Sequence, residues 1–166
     1  MATYYRYKRP ITNSGAINYV AKTVEQWKEE TNNAPTLAFE DTDGNIHDYS
    51  EFVSELNVTH NDVDGDDAGR SKTSGARMKR HYLGIKHTIN VKMVNHLPKS
   101  VVADIFDLIQ TTPNKLSFWT WYHHPCSSRC TKREFYCSTI NYGAQRYDRQ
   151  TNRIYYDGMN FNLIEM

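Results

Sequence analysis

The sequence has no apolar run long enough to cross a bilayer, and its first residues lack the apolar core of a secretion signal. Cysteine is scarce, with three in 166 residues, and this odd count does not form a disulfide framework. Opposite charges nearly cancel, leaving a formal net charge of +1 and no overall field that would attract nucleic acid or membrane. We therefore expect synthesis in the cytosol and no membrane partner.

Familiar catalytic patterns are also missing from the chain. It contains no nucleophile elbow, no glycine-rich phosphate loop and no defensible pair of acid and base carboxylates. We expect that the protein is not an enzyme, and we rank a cysteine-dependent enzyme last among the functional hypotheses.

Aromatic residues are abundant by contrast. Twelve tyrosines help to bring the aromatic content to 13%, whereas the hydrophobic content is only 39%. Tyrosine combines apolar area with a polar tip, which suits extensive wet interfaces, but a tyrosine-rich sheet surface would explain the same composition. The length of 166 residues is typical of one domain with a real core.

The clearest structural signal lies in the second half of residues 58–94. Apolar side chains there occupy alternate positions with odd numbers, namely Leu83, Ile85, Ile89, Val91 and Met93. This period of two predicts a β-strand with one buried face and one wet face. His87 is the one polar residue on the parity that is expected to face inward.

A polar segment, residues 61–80, precedes this strand and has no apolar periodicity. Ordering such a long polar segment costs conformational entropy, so a partner outside the monomer is expected to hold it. We interpret it as a contact flap in which acidic residues come first and basic residues follow: Asp62, Asp64, Asp66, Asp67, Arg70, Lys72, Arg77, Lys79 and Arg80.

The remaining chain predicts an α+β, mainly β fold. Helical spacing over residues 17–30 indicates a short helix in an N-terminal arm, residues 1–35. The rest, residues 36–166, is expected to form an antiparallel β-sandwich or barrel packed against one central helix near residues 101–109. Ile105, Phe106 and Ile109 of that helix are expected to be buried under the strands, including the strand that carries Ile85 and Ile89.

One constellation could carry metal chemistry. Two cysteines with three residues between them, preceded by histidines and followed by a third cysteine, resemble half of a structural zinc site: His123, His124, Cys126, Cys130 and Cys137. The alternative is that the first two cysteines are loop residues and the third is a small strand residue. Zinc is the only cofactor that the sequence suggests.

A zinc-stabilised module that binds nucleic acid is the alternative function. Tyr4, Tyr5 and Tyr7 alternate with basic residues, a pattern that can stack on bases and contact phosphates, and residues 72–80 add a second basic cluster. The four aspartates beside that cluster weaken this hypothesis, because they would repel phosphate.

The order of several sequence blocks resembles a group of small tail proteins of phages and prophages. The blocks are Asp62-Val63-Asp64-Gly65 with Gly69-Arg70, the basic stretch and alternating strand of residues 77–93, and the Leu-Pro that opens the helix at residue 97. They continue with a hairpin around His124-Pro125 and the closing strand of residues 158–165. The similarity covers roughly two-thirds of the chain, and it is the order of the blocks that carries it.

The resemblance implies a tail-tube-like fold, a sandwich or barrel with a flanking helix that assembles into rings. The expected function is then structural: a tube, adaptor or baseplate-hub subunit located in the virion, without catalysis. Its partners would be further copies of itself, expected as a hexameric ring, and other tail proteins, with DNA only as contents passing through a tube. In this interpretation the flap is an inter-subunit arm.

Overall fold

A computed structural model describes residues 1–12, 14–29, 35–64, 69–70, 78–79, 82–110, 116–125 and 130–166, with the backbone alone at residues 29, 64, 69–70, 78–79 and 82. The elements in these ranges are, in chain order, β1 (Thr3–Lys8), β2 (Asn18–Thr23), α1 (Val24–Glu29), β3 (Leu37–Glu40), β4 (Ile46–Asp48), a 3-10 turn (Ser50–Phe52), β5 (Val53–Asp64), β6 (Gly69–Arg70), β7 (Met78–Lys79), β8 (Tyr82–Met93), β9 (Leu97–Pro98), α2 (Lys99–Gln110), β10 (Phe118–His123), β11 (Cys130–Asn141), β12 (Ala144–Asp148), β13 (Arg153–Asp157) and β14 (Asn160–Glu165).

Nine of these strands form one large sheet in the order β2-β1-β4-β3-β10-β11-β14-β8-β5. Its neighbouring strands are antiparallel except for β1 and β4, which run parallel and make the sheet mixed. Two smaller sheets, β12-β13-β9 and β6-β7, accompany it. The α+β, mainly β class predicted from the sequence is confirmed.

Helix α2 supplies the predicted apolar stripe. Val101, Val102, Ile105 and Ile109 are buried in the main core with the inward residues of β8 and β14. Tyr49 also reaches this helix, because its buried hydroxyl donates a hydrogen bond to the carboxylate of Asp104.

The prediction that Phe106 is buried is wrong, because this side chain is 39% exposed. Successive residues of an α-helix are rotated by about 100° about the helix axis. Phe106 therefore points about 85° away from the centre of the buried stripe. A Phe106→Ala change therefore lacks the fully buried ring that a large cavity penalty requires.

The strand β8 is buried over only part of its length. Ile89, Val91 and Met93 are almost fully buried, as their parity predicts, whereas Leu83 and Ile85 are 62% and 43% exposed. The prediction of burial is thus wrong for these two residues. They lie beyond the pairing of β8 with β14, whose last pair is Ile164 with Thr88.

The N-terminal segment does not form a helical arm. Strand β1 lies inside the large sheet between β2 and β4, and six of the residues predicted to be helical form strand β2, Asn18–Thr23. Pairing with β1 extends along the whole length of β2, and this contact outweighs the helical spacing of its apolar residues. Only α1 remains helical, and Thr23 and Gln26 cap it with reciprocal hydrogen bonds of 3.0 and 3.2 Å.

Helix α1 covers a second apolar cluster. Trp27 stacks on Tyr4 with 5.1 Å between ring centroids, and both are buried with Ala38 and Ile46. Because Tyr4 belongs to this cluster and Tyr7 to the main core, β1 contributes to both clusters. Of the helices within the described ranges, none has the length and apolar character that a membrane crossing requires.

Candidate functional site

Three histidines from separate parts of the chain meet beside the long hairpin formed by β5 and β8. His60 and His87 are directly paired across these strands, so their side chains leave the same face of the sheet. His124 follows the end of β10, and its Nε2 lies 3.1 Å from Nε2 of His87. The ring centroids of His60 and His124 are 5.0 Å apart. One ring nitrogen from each residue lies within 4.8 Å of the others.

Sheet order alone would keep these residues apart. Strands β8 and β10 are separated by β14 and β11, which in a flat sheet corresponds to about 14 Å. The ring of Tyr122, near the end of β10, nevertheless lies 6.3 Å from that of His87 between centroids. The end of β10 therefore bends over the face of β8, and this curvature places His124 on His87.

A carboxylate fixes the orientation of His87. Oε2 of Glu165 accepts hydrogen bonds from the backbone N–H of His87 at 2.7 Å and from its Nδ1 at 2.6 Å. The other oxygen, Oε1, accepts a hydrogen bond from Arg133 at 2.6 Å. Because an ionised carboxylate only accepts, Nδ1 of His87 carries the hydrogen of this bond, and its Nε2 is directed at His124.

The electrostatics of this cluster shift two of its groups, the imidazole of His124 and the carboxylate of Glu165. Burial, followed by the charges of His87 and His60, holds the pKa of His124 below its usual value. Burial raises the pKa of Glu165, whereas its hydrogen bonds with Arg133 and His87 lower it. The lowering effects are larger together, so the pKa of Glu165 lies below the ordinary carboxyl value. The lowered pKa of His124 favours its neutral form, whose ring keeps one nitrogen lone pair.

Tyr122 lines the buried side of this cluster. Its hydroxyl is buried and has no hydrogen-bond partner among the described residues. Burial, which is the largest effect on this group, raises the pKa of Tyr122 to about 12. Its ring packs edge-on against Phe135, with 5.6 Å between ring centroids. A neutral phenol thus closes the inner wall behind His87.

The cysteine and histidine residues predicted as a zinc site do not come together as expected. Cys130 and Cys137 lie on the same extended strand, β11, and seven residues of strand span about 23 Å, so the two thiols do not share an ion. Burial raises the pKa of each thiol to about 11, which disfavours the thiolate that metals and nucleophilic catalysis require. Cys126 lies outside the described residues, and His123 is exposed at the end of β10. Of the four predicted ligands that the structure describes, only His124 belongs to the histidine cluster.

The charged residues predicted as a contact surface are only partly described. Asp62 is exposed on β5, where it pairs with Ile85. The backbones of Asp64, Arg70 and Lys79 lie in strands β5, β6 and β7. The other members of that surface lie outside the described residues: Asp66, Asp67, Lys72, Arg77 and Arg80.

A comparison of the chain with protein-family models and with curated protein sequences finds no match.

The histidine cluster was missed in the sequence because His60, His87 and His124 lie far apart along the chain, with no short spacing typical of a metal motif. One signal did point to it: His87 interrupts an otherwise apolar inward parity, and a buried polar group requires partners. The identity of those partners depends on the curvature of the sheet.

Proposed function

We propose that this protein is a structural subunit that assembles with copies of itself through the outer end of the β5–β8 hairpin, as a component of a phage tail. The observation that carries the proposal is a stretch of two-stranded sheet that is left unsupported in the single chain. We name it the distal hairpin, residues 61–64 of β5 with residues 82–86 of β8. The rest of the hairpin, residues 53–59 with 88–93, is the proximal hairpin.

The distal hairpin extends past the strand that supports its base. Strand β14 pairs with β8 from Asn160 opposite Lys92 to Ile164 opposite Thr88, and it ends one residue later. Strands β5 and β8 continue to pair as far as Asp64 opposite Tyr82. Among the described residues, therefore, the distal hairpin lacks a third strand on either side. Two strands alone are marginally stable in water, and exposed edges invite pairing with another chain.

Apolar side chains are exposed on this segment. Leu83 and Ile85 of β8 are 62% and 43% exposed, and Leu83 lies at an irregularity in the pairing of β8 with β5. Exposed apolar residues that stand side by side on an uncovered strand are typical of a contact surface, whereas isolated ones need no explanation. Covering them with a partner would remove apolar area from water at about 25 cal/mol per Å².

A second copy of the chain suits this surface best. Among the strands that the structure describes, the nine-stranded sheet ends with β5 on one side and β2 on the other, and neither has a further pairing partner. The β2 edge also exposes apolar area, with Tyr19 at 53% and Val20 at 37%. Two different edges on one subunit permit a head-to-tail contact, and such a contact repeats around a ring when the rotation closes. A ring is also what the resemblance to phage tail proteins implies, with a hexamer as its expected form and the virion as its location.

Nucleic-acid binding receives less support. Tyr4 and Tyr7, whose rings would stack on bases, are 3% and 6% exposed. Stacking on a base requires an accessible ring face. We therefore propose function through protein–protein contacts, without catalysis.

The test is the mass of the protein in solution, measured by light scattering over a range of concentrations and accompanied by negative-stain microscopy. The wild type is expected at a multiple of the chain mass and as rings. A double variant, Leu83→Ser with Ile85→Ser, is expected to remain monomeric with an unchanged melting curve, since both side chains are exposed in the single chain.

Leu116→Ser is the matched control, because Leu116 is 77% exposed but lies outside the distal hairpin. This variant should assemble as the wild type does. A wild type that stays monomeric at every concentration, or a double variant that assembles normally, would contradict the proposal.

A further inference from the structure

We propose that His60, His87 and His124 form a binding site for a divalent transition metal ion such as Zn²⁺, with one ring nitrogen from each as ligands. The site is independent of the proposed assembly, because none of its residues belongs to the distal hairpin. It also differs from the cysteine-rich site that the sequence suggests.

The distances suit such an ion. Zinc binds imidazole nitrogen at about 2.0–2.1 Å, so two nitrogens in a tetrahedral site are about 3.3 Å apart. Nε2 of His87 and Nε2 of His124 are 3.1 Å apart, close to one edge of that tetrahedron. The third nitrogen lies within 4.8 Å of the other two and belongs to His60, which is exposed and can rotate towards them. The fourth position would face solvent on the side of His60 and take a water molecule.

The supporting contacts have the form that metal-binding histidines usually show. The ligand His87 is 2% exposed, and its second ring nitrogen donates to Glu165, as in the carboxylate–histidine–metal arrangement. Arg133 in turn holds Glu165 from the other side. Glu165 is therefore a positioning residue: it sets the tautomer and the direction of the His87 lone pair without reaching the metal.

The donor set indicates which ions would bind. Three imidazoles with no carboxylate among the ligands favour Zn²⁺, Co²⁺, Ni²⁺ or Cu²⁺ over Ca²⁺ and Mg²⁺, which prefer oxygen. A bound ion would join the paired strands β5 and β8 to the end of β10. Strand β10 does not pair with either of them in the sheet. We expect the metal to brace the point where the distal hairpin leaves the sheet.

The full-length chain, stripped with a chelator and then dialysed, is titrated with Zn²⁺ by calorimetry and by competition with a chromophoric chelator. The expected result is one ion per chain and a melting temperature that rises with Zn²⁺. Visible absorption after Co²⁺ substitution is expected to report tetrahedral coordination. Ca²⁺ should give neither heat nor a melting shift.

Two single variants, His60→Ala and His124→Ala, test the ligands without removing the buried His87. Each is expected to weaken Zn²⁺ binding by at least about 100-fold, since loss of a supporting residue alone typically costs about 10–100-fold. Glu165→Gln should fall in that lower range. His123→Ala is the matched control, because this neighbouring histidine is exposed and lies outside the cluster, and it should bind as the wild type does.

Three results would overturn the proposal. A folded wild type that takes up no Zn²⁺ would show that His87 and His124 merely share a hydrogen bond. Undiminished binding by both His60→Ala and His124→Ala would exclude the cluster as the site. Binding that is lost in His123→Ala or Cys130→Ser but retained in His60→Ala would assign the metal to the cysteine-containing turn instead.

Discussion

The proximal and distal halves of the β5–β8 hairpin have the same backbone pairing but very different surroundings. In the proximal half, β14 pairs with β8, and Ile89 and Val91 contact the core that includes helix α2. In the distal half, Leu83 and Ile85 stand on the same parity of the same strand and remain exposed. Pairing in a ladder therefore does not determine burial. Burial depends on which third element reaches the strand.

The histidine cluster marks the boundary between these halves. His60 and His87 form the pair at which support from β14 ends, and the carboxylate of Glu165, at the end of β14, binds His87. The last contact of the supported region is thus polar. We infer that this boundary, and not the tip of the hairpin, is where a ligand would change how firmly the distal half is held.

The largest expected effect is the difference in stability between an isoleucine substitution in the proximal half and one in the distal half. Ile89→Ala removes a fully buried side chain, and its free energy of unfolding should fall by about 2–5 kcal/mol. Ile85→Ala, four residues away on the same face, should change that free energy by less than about 0.5 kcal/mol in the monomer. Urea unfolding of both variants, at a protein concentration that keeps the chain monomeric, measures the difference between their free energies of unfolding. Equal losses of unfolding free energy would mean that Ile85 and Ile89 are buried to the same extent.

A smaller effect is expected at the boundary. Glu165→Ala leaves Arg133 and the N–H groups of His87 without their carboxylate, and an unsatisfied buried donor costs about 1–3 kcal/mol. Thermal and urea unfolding of the metal-free protein should show this loss. Glu165→Gln keeps an acceptor oxygen and is the control, so it should be the milder change. A Glu165→Ala variant as stable as the wild type would show that the contact does not support the boundary.

The smallest effect is expected on the outer face of the proximal half. Glu55 and Lys92 form a 2.7 Å ion pair across β5 and β8, but both side chains are about half exposed. Because solvent screens such a pair, Glu55→Gln should leave the melting temperature at pH 7 essentially unchanged. A clear loss of stability would show that charge, and not cover by the core, supports this half.

The same pair has a defined pH dependence. Hydrogen bonds with Lys92 and Asn57 hold the pKa of Glu55 below its usual value of 4.5. A lowered folded pKa means that any stabilisation is present above pH 4.5 and is lost as the pH falls through the folded pKa. Titration of the Glu55 carboxyl by NMR should therefore give a pKa below that of the unfolded chain, and Lys92→Gln should return it towards 4.5.

Local patterns predicted several elements correctly. Alternation identified β8, and helical spacing identified the buried Val101, Ile105 and Ile109 of α2. These features depend on neighbours within a few residues, which the sequence displays directly. The helix predicted over residues 17–30 was mostly wrong, because pairing of β2 with β1 is a contact between segments that the local pattern does not contain.

The candidate site could be predicted only in part. His87 stood out as a polar residue on an apolar parity, and His124 was named within a set of five predicted ligands. His60 gave no signal of its own, since nothing in its neighbourhood differs from an exposed edge strand. The prediction that a hairpin brings Cys137 beside Cys130 is wrong, because both residues lie on the extended strand β11, which carries them apart.

By itself, the sequence determined which residues of β8 and of α2 share a face, because that depends on the fixed periods of two and 3.6 residues. Only the tertiary structure decided how much of each face is covered. It ended the support of β8 at His87, left Leu83 and Ile85 exposed, and curved the sheet until His124 met His60 and His87. The physical reason is that cover and curvature arise from contacts between segments far apart in the chain, and a repeating local pattern carries no information about where those contacts stop.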